Sequence, residues 1–115
     1  MTEANYQETL RTIQTEQDLV KSELRSIEEQ QEAIFYLNQE EQRLYSEIIA
    51  TSPPEERTFF QDRELDSLEQ GRKAQHILAE QEAALMKTKK QLLEAEEETY
   101  QKHRNALREK EKEKE

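Results

Sequence analysis

The sequence predicts an all-α fold: a long, coiled-coil-like antiparallel two-helix hairpin with a frayed or disordered C-terminal tail. Three observations predict it. First, one heptad register runs unbroken through Tyr6, Leu10, Ile13, Gln17, Val20, Leu24, Ile27, Gln31 and Ile34, stepping 4,3,4,3. Every position is apolar except Gln17 and Gln31, and such a repeat keeps one seam of a helix against another helix. Second, the 115 residues include one Gly, no Cys and no Trp, and 38% are charged, a composition of helix formers. Third, the only two prolines stand together at Pro53-Pro54, where the chain can turn back.

The first helix is predicted over residues 3–50, with Thr2 able to act as N-cap. A turn follows over 51–58, a second helix over 59–107 and a charged tail over 108–115, all within one domain. Two start signals compete for the second helix. Ser52-Pro53-Pro54-Glu55 offers Ser at the N-cap, Pro at the first position and Glu at the third. Against it, Pro54 disfavours helical geometry at Pro53. Thr58-Phe59-Phe60-Gln61 is a second capping box. A short connection makes the helices antiparallel, each roughly 70–80 Å long at the rise of an α-helix.

The second helix repeats doublets every seven residues: Leu78-Ala79, Leu85-Met86, Leu92-Leu93, Thr99-Tyr100 and Ala106-Leu107. Folding at the prolines pairs residue i with about residue 106 − i, so Tyr6 faces Tyr100, Ile13 faces Leu93, Val20 faces Met86 and Ile27 faces Ala79. The same alignment puts Gln17 by Lys89 and Gln31 by Gln75, polar against polar, as register-setting positions require. Leu78, Leu85 and Leu92 are then left as a free row beside the seam. Leu19, Phe35, Tyr36, Tyr45 and Ile49 also lie off it, and Phe59 and Phe60 crowd the tip. Surplus apolar surface marks a partner site, although bulky tip residues also serve simply to close a turn. Gly71 costs about 1 kcal/mol against Ala inside a helix. It marks a bend, a close backbone approach or a tolerated surface glycine. The tail, Arg108 to Glu115, sets like charges at i,i+4, which predicts fraying.

Net charge is −10, of which residues 1–58 carry −8 (5 basic, 13 acidic) and residues 59–115 carry −2 (12 basic, 14 acidic). An acidic rod is repelled by phosphate backbones, so neither nucleic acid nor an anionic membrane is an expected partner. No apolar run reaches the ~18 residues of a membrane span, and no signal-peptide pattern opens the sequence. Cysteine-free composition fits a reducing compartment, so a cytoplasmic location is expected. No cofactor or metal is expected either. His76 and His103 lie roughly 40 Å apart along one helix, and neither has the acid three residues earlier that a carboxylate-bridged iron site uses. The carboxylates have no cleft to perturb them, and a single Gly makes no phosphate loop. The expectation is a non-enzyme. So thin a hairpin buries little, which calls for a helical partner.

Phe59-Phe60-Gln61-Asp62 after the proline break, and the run Lys87-Thr88-Lys89-Lys90-Gln91-Leu92-Leu93-Glu94-Ala95-Glu96-Glu97-Glu98-Thr99-Tyr100 closing with Arg104, carry a family resemblance. They resemble the small helical accessory proteins encoded beside LXG-domain toxins of the Gram-positive type VII (Esx) secretion system. The resemblance implies an intracellular helical adaptor or chaperone. It would bind the helical N-terminal region of a toxin together with a second small WXG-like protein, target the toxin to the secretion machine, and could be secreted with it. The Trp-x-Gly turn of WXG-like proteins is missing here, where Pro-Pro stands instead. Export signals of that system read aromatic-x-x-x-acid. Phe60/Glu64 and Tyr36/Glu40 both fit, with Phe60/Glu64 favoured for its place at the tip. Two other readings compete: a coiled-coil stalk protein of a flagellar or type III export ATPase, and a structural homodimer forming a four-helix bundle.

Overall fold

The computed structural model describes residues 2–114 and is all-α. Helix α1 spans Glu3–Thr51 and α2 spans Pro54–Lys114, with only Ser52 and Pro53 between them. The hairpin is antiparallel, as predicted, but its turn is much shorter than residues 51–58.

Local chemistry sets the ends. Thr2 caps α1: its Oγ1 accepts the Asn5 N–H at 3.1 Å, and its carbonyl accepts the Tyr6 N–H. At the other end the Ser52 hydroxyl donates back to the Ile48 carbonyl, so Ser52 closes α1 instead of opening α2. Pro53 is kept out of helical geometry by Pro54, and its carbonyl accepts the Glu56 N–H at 2.9 Å. Pro54 takes the first helical position, where no N–H is needed. Arg57 Nε donates to the Ser52 carbonyl at 3.2 Å and ties the turn to α2. Neither expected capping box forms, because Thr58 already lies inside the helix.

The expected fraying of the tail is corrected as far as Lys114, and Glu115 lies outside the described residues. Every described tail residue is helical and exposed. Like charges recur at i,i+4, but opposite charges recur at i,i+3 (Arg108/Glu111, Glu109/Lys112, Lys110/Glu113), and Lys112 and Lys114 sit in the last turn, where the helix dipole favours cations.

Two compact units make up the chain: Met1–Leu24 with Ala83–Glu115, and Arg25–Glu82. In the first unit, Ile13, Val20 and Leu92 form a buried cluster with Leu24, Leu85 and Ala95 packed against it. Tyr6, also buried, stacks on the His103 ring at 3.7 Å between centroids. Buried Thr99 satisfies its hydroxyl on the Ala95 carbonyl at 2.8 Å. In the second unit, Ile27 and Leu78 are the buried apolar residues, and Gln75 Nε2 donates to the Gln31 backbone carbonyl at 3.2 Å. The predicted Gln31–Gln75 match is therefore made, through main chain rather than amide to amide. Gln17 and Lys89 share no hydrogen bond among the described residues.

The α1 face follows the predicted heptad. The α2 face is turned by one residue. Leu78 is 6% exposed and Leu92 is 8% exposed, whereas Met86 and Leu93 are 50% and 53% exposed. The seam uses the first residue of each doublet, so Leu78, Leu85 and Leu92 are core and not a free row. Doublet partners stand ~100° apart on a helix, so both rows have the same period. The chosen row runs through Gly71, and the rejected row runs through Arg72. Putting Arg72 in the seam would bury an unpaired charge.

Gly71 resolves as a close approach within the second unit. It is buried, and a Cβ there would fall 2.6 Å from Asn38 Nδ2 and 2.8 Å from Asn38 Oδ1. The α1 heptad continues past Ile34 through Asn38, Glu41 and Tyr45, all half-buried. Ser67 donates a short hydrogen bond to the Glu41 carboxylate.

Candidate interaction surface

Apolar side chains of the second unit stand out in two places: Phe59 and Phe60 beside the turn, and Phe35, Tyr36 and Leu37 more than four helical turns before it on α1. Phe35, Tyr36, Leu37 and Phe59 are each more than half exposed, while Phe60 is half-buried. Their helical positions explain the difference. On α1, Leu37 and Leu44 stand seven apart on one flank of the seam, Phe35 takes the other flank, and Tyr36 points away. On α2, Phe60 flanks the seam, and Phe59, one residue earlier, turns outward. Phe59 and Phe60 meet edge to face at 5.3 Å, as do Phe35 and Tyr36 at 5.7 Å. The Arg63 guanidinium lies 5.0 Å from the centre of the Phe59 ring.

Phe59 and Phe60, with Leu44 and Ile48 of α1, line an open apolar groove of about 420 Å³, with Glu41, Tyr45 and Arg63 at its edges. A second open groove of about 470 Å³ continues past Leu37 over the Asn38–Gly71 approach and shares Glu41, Tyr45 and Arg63 with the first. The surroundings are acidic, since the Arg25–Glu82 unit carries 14 Asp and Glu against 6 Lys and Arg. Arg43 bridges Glu40 and Glu47, the latter at 2.8 Å, and its hydrogen bond holds the Glu40 carboxyl below the usual range. All three side chains are more than half exposed, so these pairs contribute little to stability.

The structure sorts the predicted site residues into three groups. Phe35, Tyr36 and Phe59 are accessible. Phe60 and Glu64 are both half-buried on the α2 face turned toward α1, so the favoured aromatic-acid pair is the less accessible one. Tyr36 and Glu40 are exposed, with Glu40 engaged by Arg43. Leu78, Leu85 and Leu92 belong to the core, and their exposed counterparts are Met86 and Leu93.

Among the described residues, no group of three or more His, Cys, Asp or Glu is placed to hold a metal. His76 pairs with Glu80 at 3.0 Å across one helical turn, exposed to solvent. His103, with no acid one turn away in sequence, finds one across the seam: its Nε2 is 2.7 Å from Glu3 Oε2. The 106 − i alignment pairs these two residues and would have found the contact. The bond from His103 holds the Glu3 carboxyl below its ordinary value, helped by Gln7. A carboxyl lowered on folding stabilises fully above its unfolded pKa, and that contribution is lost as pH falls through the lowered folded value. His103→Phe keeps a ring for Tyr6 to stack on but removes the bond. A carboxyl-carbon NMR titration of that variant is expected to show Glu3 moving up toward the ordinary glutamate value. Partial burial pushes the Tyr100 phenol up, and the nearby Glu96 carboxylate pushes it the same way.

No helix of the described residues is long and apolar enough to cross a membrane. No family model, curated protein or solved structure matches the chain.

Proposed function

We propose that this chain is a non-catalytic helical adaptor that docks a helix of another protein against the tip of the Arg25–Glu82 unit. One observation carries the reading. The groove lined by Leu44, Ile48, Phe59 and Phe60 is apolar and open, and two of its lining side chains, Leu44 and Phe59, remain exposed. Exposed aromatic and aliphatic groups concentrated in one place on so polar a chain are the mark of an interaction site. Helix-in-groove recognition needs only such a groove and a partner with apolar residues one turn apart.

The family resemblance makes the helical N-terminal region of an LXG-type toxin, with a small WXG-like protein, the partner to test first, and type VII targeting the role to test. Co-expression with that region is the experiment. The adaptor reading expects a co-purifying complex that Leu44→Glu with Phe59→Ala reduces at least about tenfold in affinity, since each anchor in a desolvated pocket contributes of the order of 1–2 kcal/mol. Co-purification that ignores both substitutions would sink the groove as the docking site. Recovery of a ring ATPase instead would replace the adaptor by the stalk reading.

A further inference from the structure

We propose that α2 carries a second interaction surface, in the unit formed by Met1–Leu24 and Ala83–Glu115, whose occupant is a second copy of this chain. The surface is the row Met86, Leu93 and Tyr100, spaced by seven on the face that the intramolecular seam leaves free. A heptad-spaced row has the geometry of a coiled-coil seam, and the chain leaves Met86 and Leu93 half exposed and covers only part of Tyr100.

Charge order selects the second copy. Leu93, the middle of the row, is flanked on its N-terminal side by Lys87, Lys89 and Lys90, and on its C-terminal side by Glu94, Glu96, Glu97 and Glu98. None of the three lysines makes an ion pair among the described residues. Glu97 makes only an exposed contact with Arg104 at 3.3 Å. Two copies laid antiparallel about a twofold axis at Leu93 bring Leu93 against Leu93 and Met86 against Tyr100 of the second copy. The same operation sets Lys90 against Glu96 and Glu97 of the second copy, and Lys89 against Glu97. One alignment thus matches both the apolar row and the charges. A parallel pairing would set lysine against lysine and glutamate against glutamate, which disfavours it. The arrangement is isologous and closes at two copies. The row and the tip groove share no residue, so the proposal stands or falls independently of the adaptor role.

The test is sedimentation of the full chain over a concentration series, with charge-swapped variants. The expected result is a monomer–dimer equilibrium. Leu93→Glu, which places two carboxylates at the axis, should raise the dimer Kd by about a hundredfold or more. Lys90→Glu and Glu97→Lys should each raise it several-fold, and the double variant should recover most of the loss, as a double-mutant cycle on a contacting pair requires. All these positions are exposed in the single chain, so helicity measured at low concentration should not change. Direction is read from cysteines, since the chain has none of its own. Under mild oxidation Leu93→Cys should form a disulfide dimer with itself, and Met86→Cys should crosslink to Tyr100→Cys but not to itself. A chain that stays monomeric at all concentrations, a dimer indifferent to Leu93→Glu and the swaps, or Met86→Cys crosslinking to itself would each overturn the proposal.

Discussion

Leu92→Ala is expected to destabilise the hairpin by about 2–5 kcal/mol, the range for truncating a buried leucine, while Leu93→Ala one residue later changes stability by no more than about 0.5 kcal/mol. Leu92 is 8% exposed and packs in the Ile13–Val20 cluster, with Leu85 and Ala95 against it. Leu93 points off the seam. The cluster is a single layer of side chains between two helices, so nothing behind it can collapse into the cavity that an alanine leaves. Native stabilities run to only about 5–15 kcal/mol even for thicker domains, so the loss is a large fraction of the whole. Thermal unfolding followed by circular dichroism, at a concentration low enough to avoid self-association, separates the two variants. Equal effects at both positions, or a larger effect at Leu93, would mean that α2 presents the other row of its doublets to α1.

Gly71→Leu is expected to cost about 1–3 kcal/mol, the usual penalty for forcing bulk into a filled contact. A single Cβ on Gly71 already falls 2.6 Å from the Asn38 amide nitrogen, and the branched side chain has no space beyond it. Gly71→Ala combined with Asn38→Ala is expected to do the reverse. The alanine recovers up to about 1 kcal/mol of helix propensity, and removing the Asn38 amide clears the position that the new Cβ takes. Gly71→Ala alone should fall between, because the asparagine must swing aside before the propensity gain appears. Denaturant midpoints of the three variants measure the order directly. If Gly71→Leu were as stable as the parent, the helices would not approach at Asn38, and Gly71 would be an ordinary surface glycine.

The tip and the α2 row depend on different side chains. Phe59 and Leu44 can be changed without touching Leu93, and Leu93 without touching the groove, so helix docking and self-association are separable by mutation. A variant deficient in one and intact in the other assigns each surface its own role.

Sequence periodicity determined much of this protein. The 4,3 spacing from Tyr6 to Ile34 placed the α1 seam, because seven apolar positions with two glutamines leave only one face to bury. The adjacent prolines placed the reversal, and the 106 − i alignment anticipated the Gln31–Gln75 contact and contained the Glu3–His103 pair. The length of the turn is not legible in the sequence, because two capping signals stand in the segment and the outcome depends on which backbone groups the reversal itself uses: Ser52 bonds backward to Ile48 and Pro53 accepts from Glu56.

Tertiary structure alone decided which residue of each α2 doublet faces inward. Leu78-Ala79, Leu85-Met86 and Leu92-Leu93 have the same period on both rows, so no count along α2 distinguishes them. The choice rests on what lies opposite: a glycine that lets Asn38 approach is accepted where Arg72 would have to shed its water, and the one-residue turn this imposes moves every leucine of the expected free edge into the core.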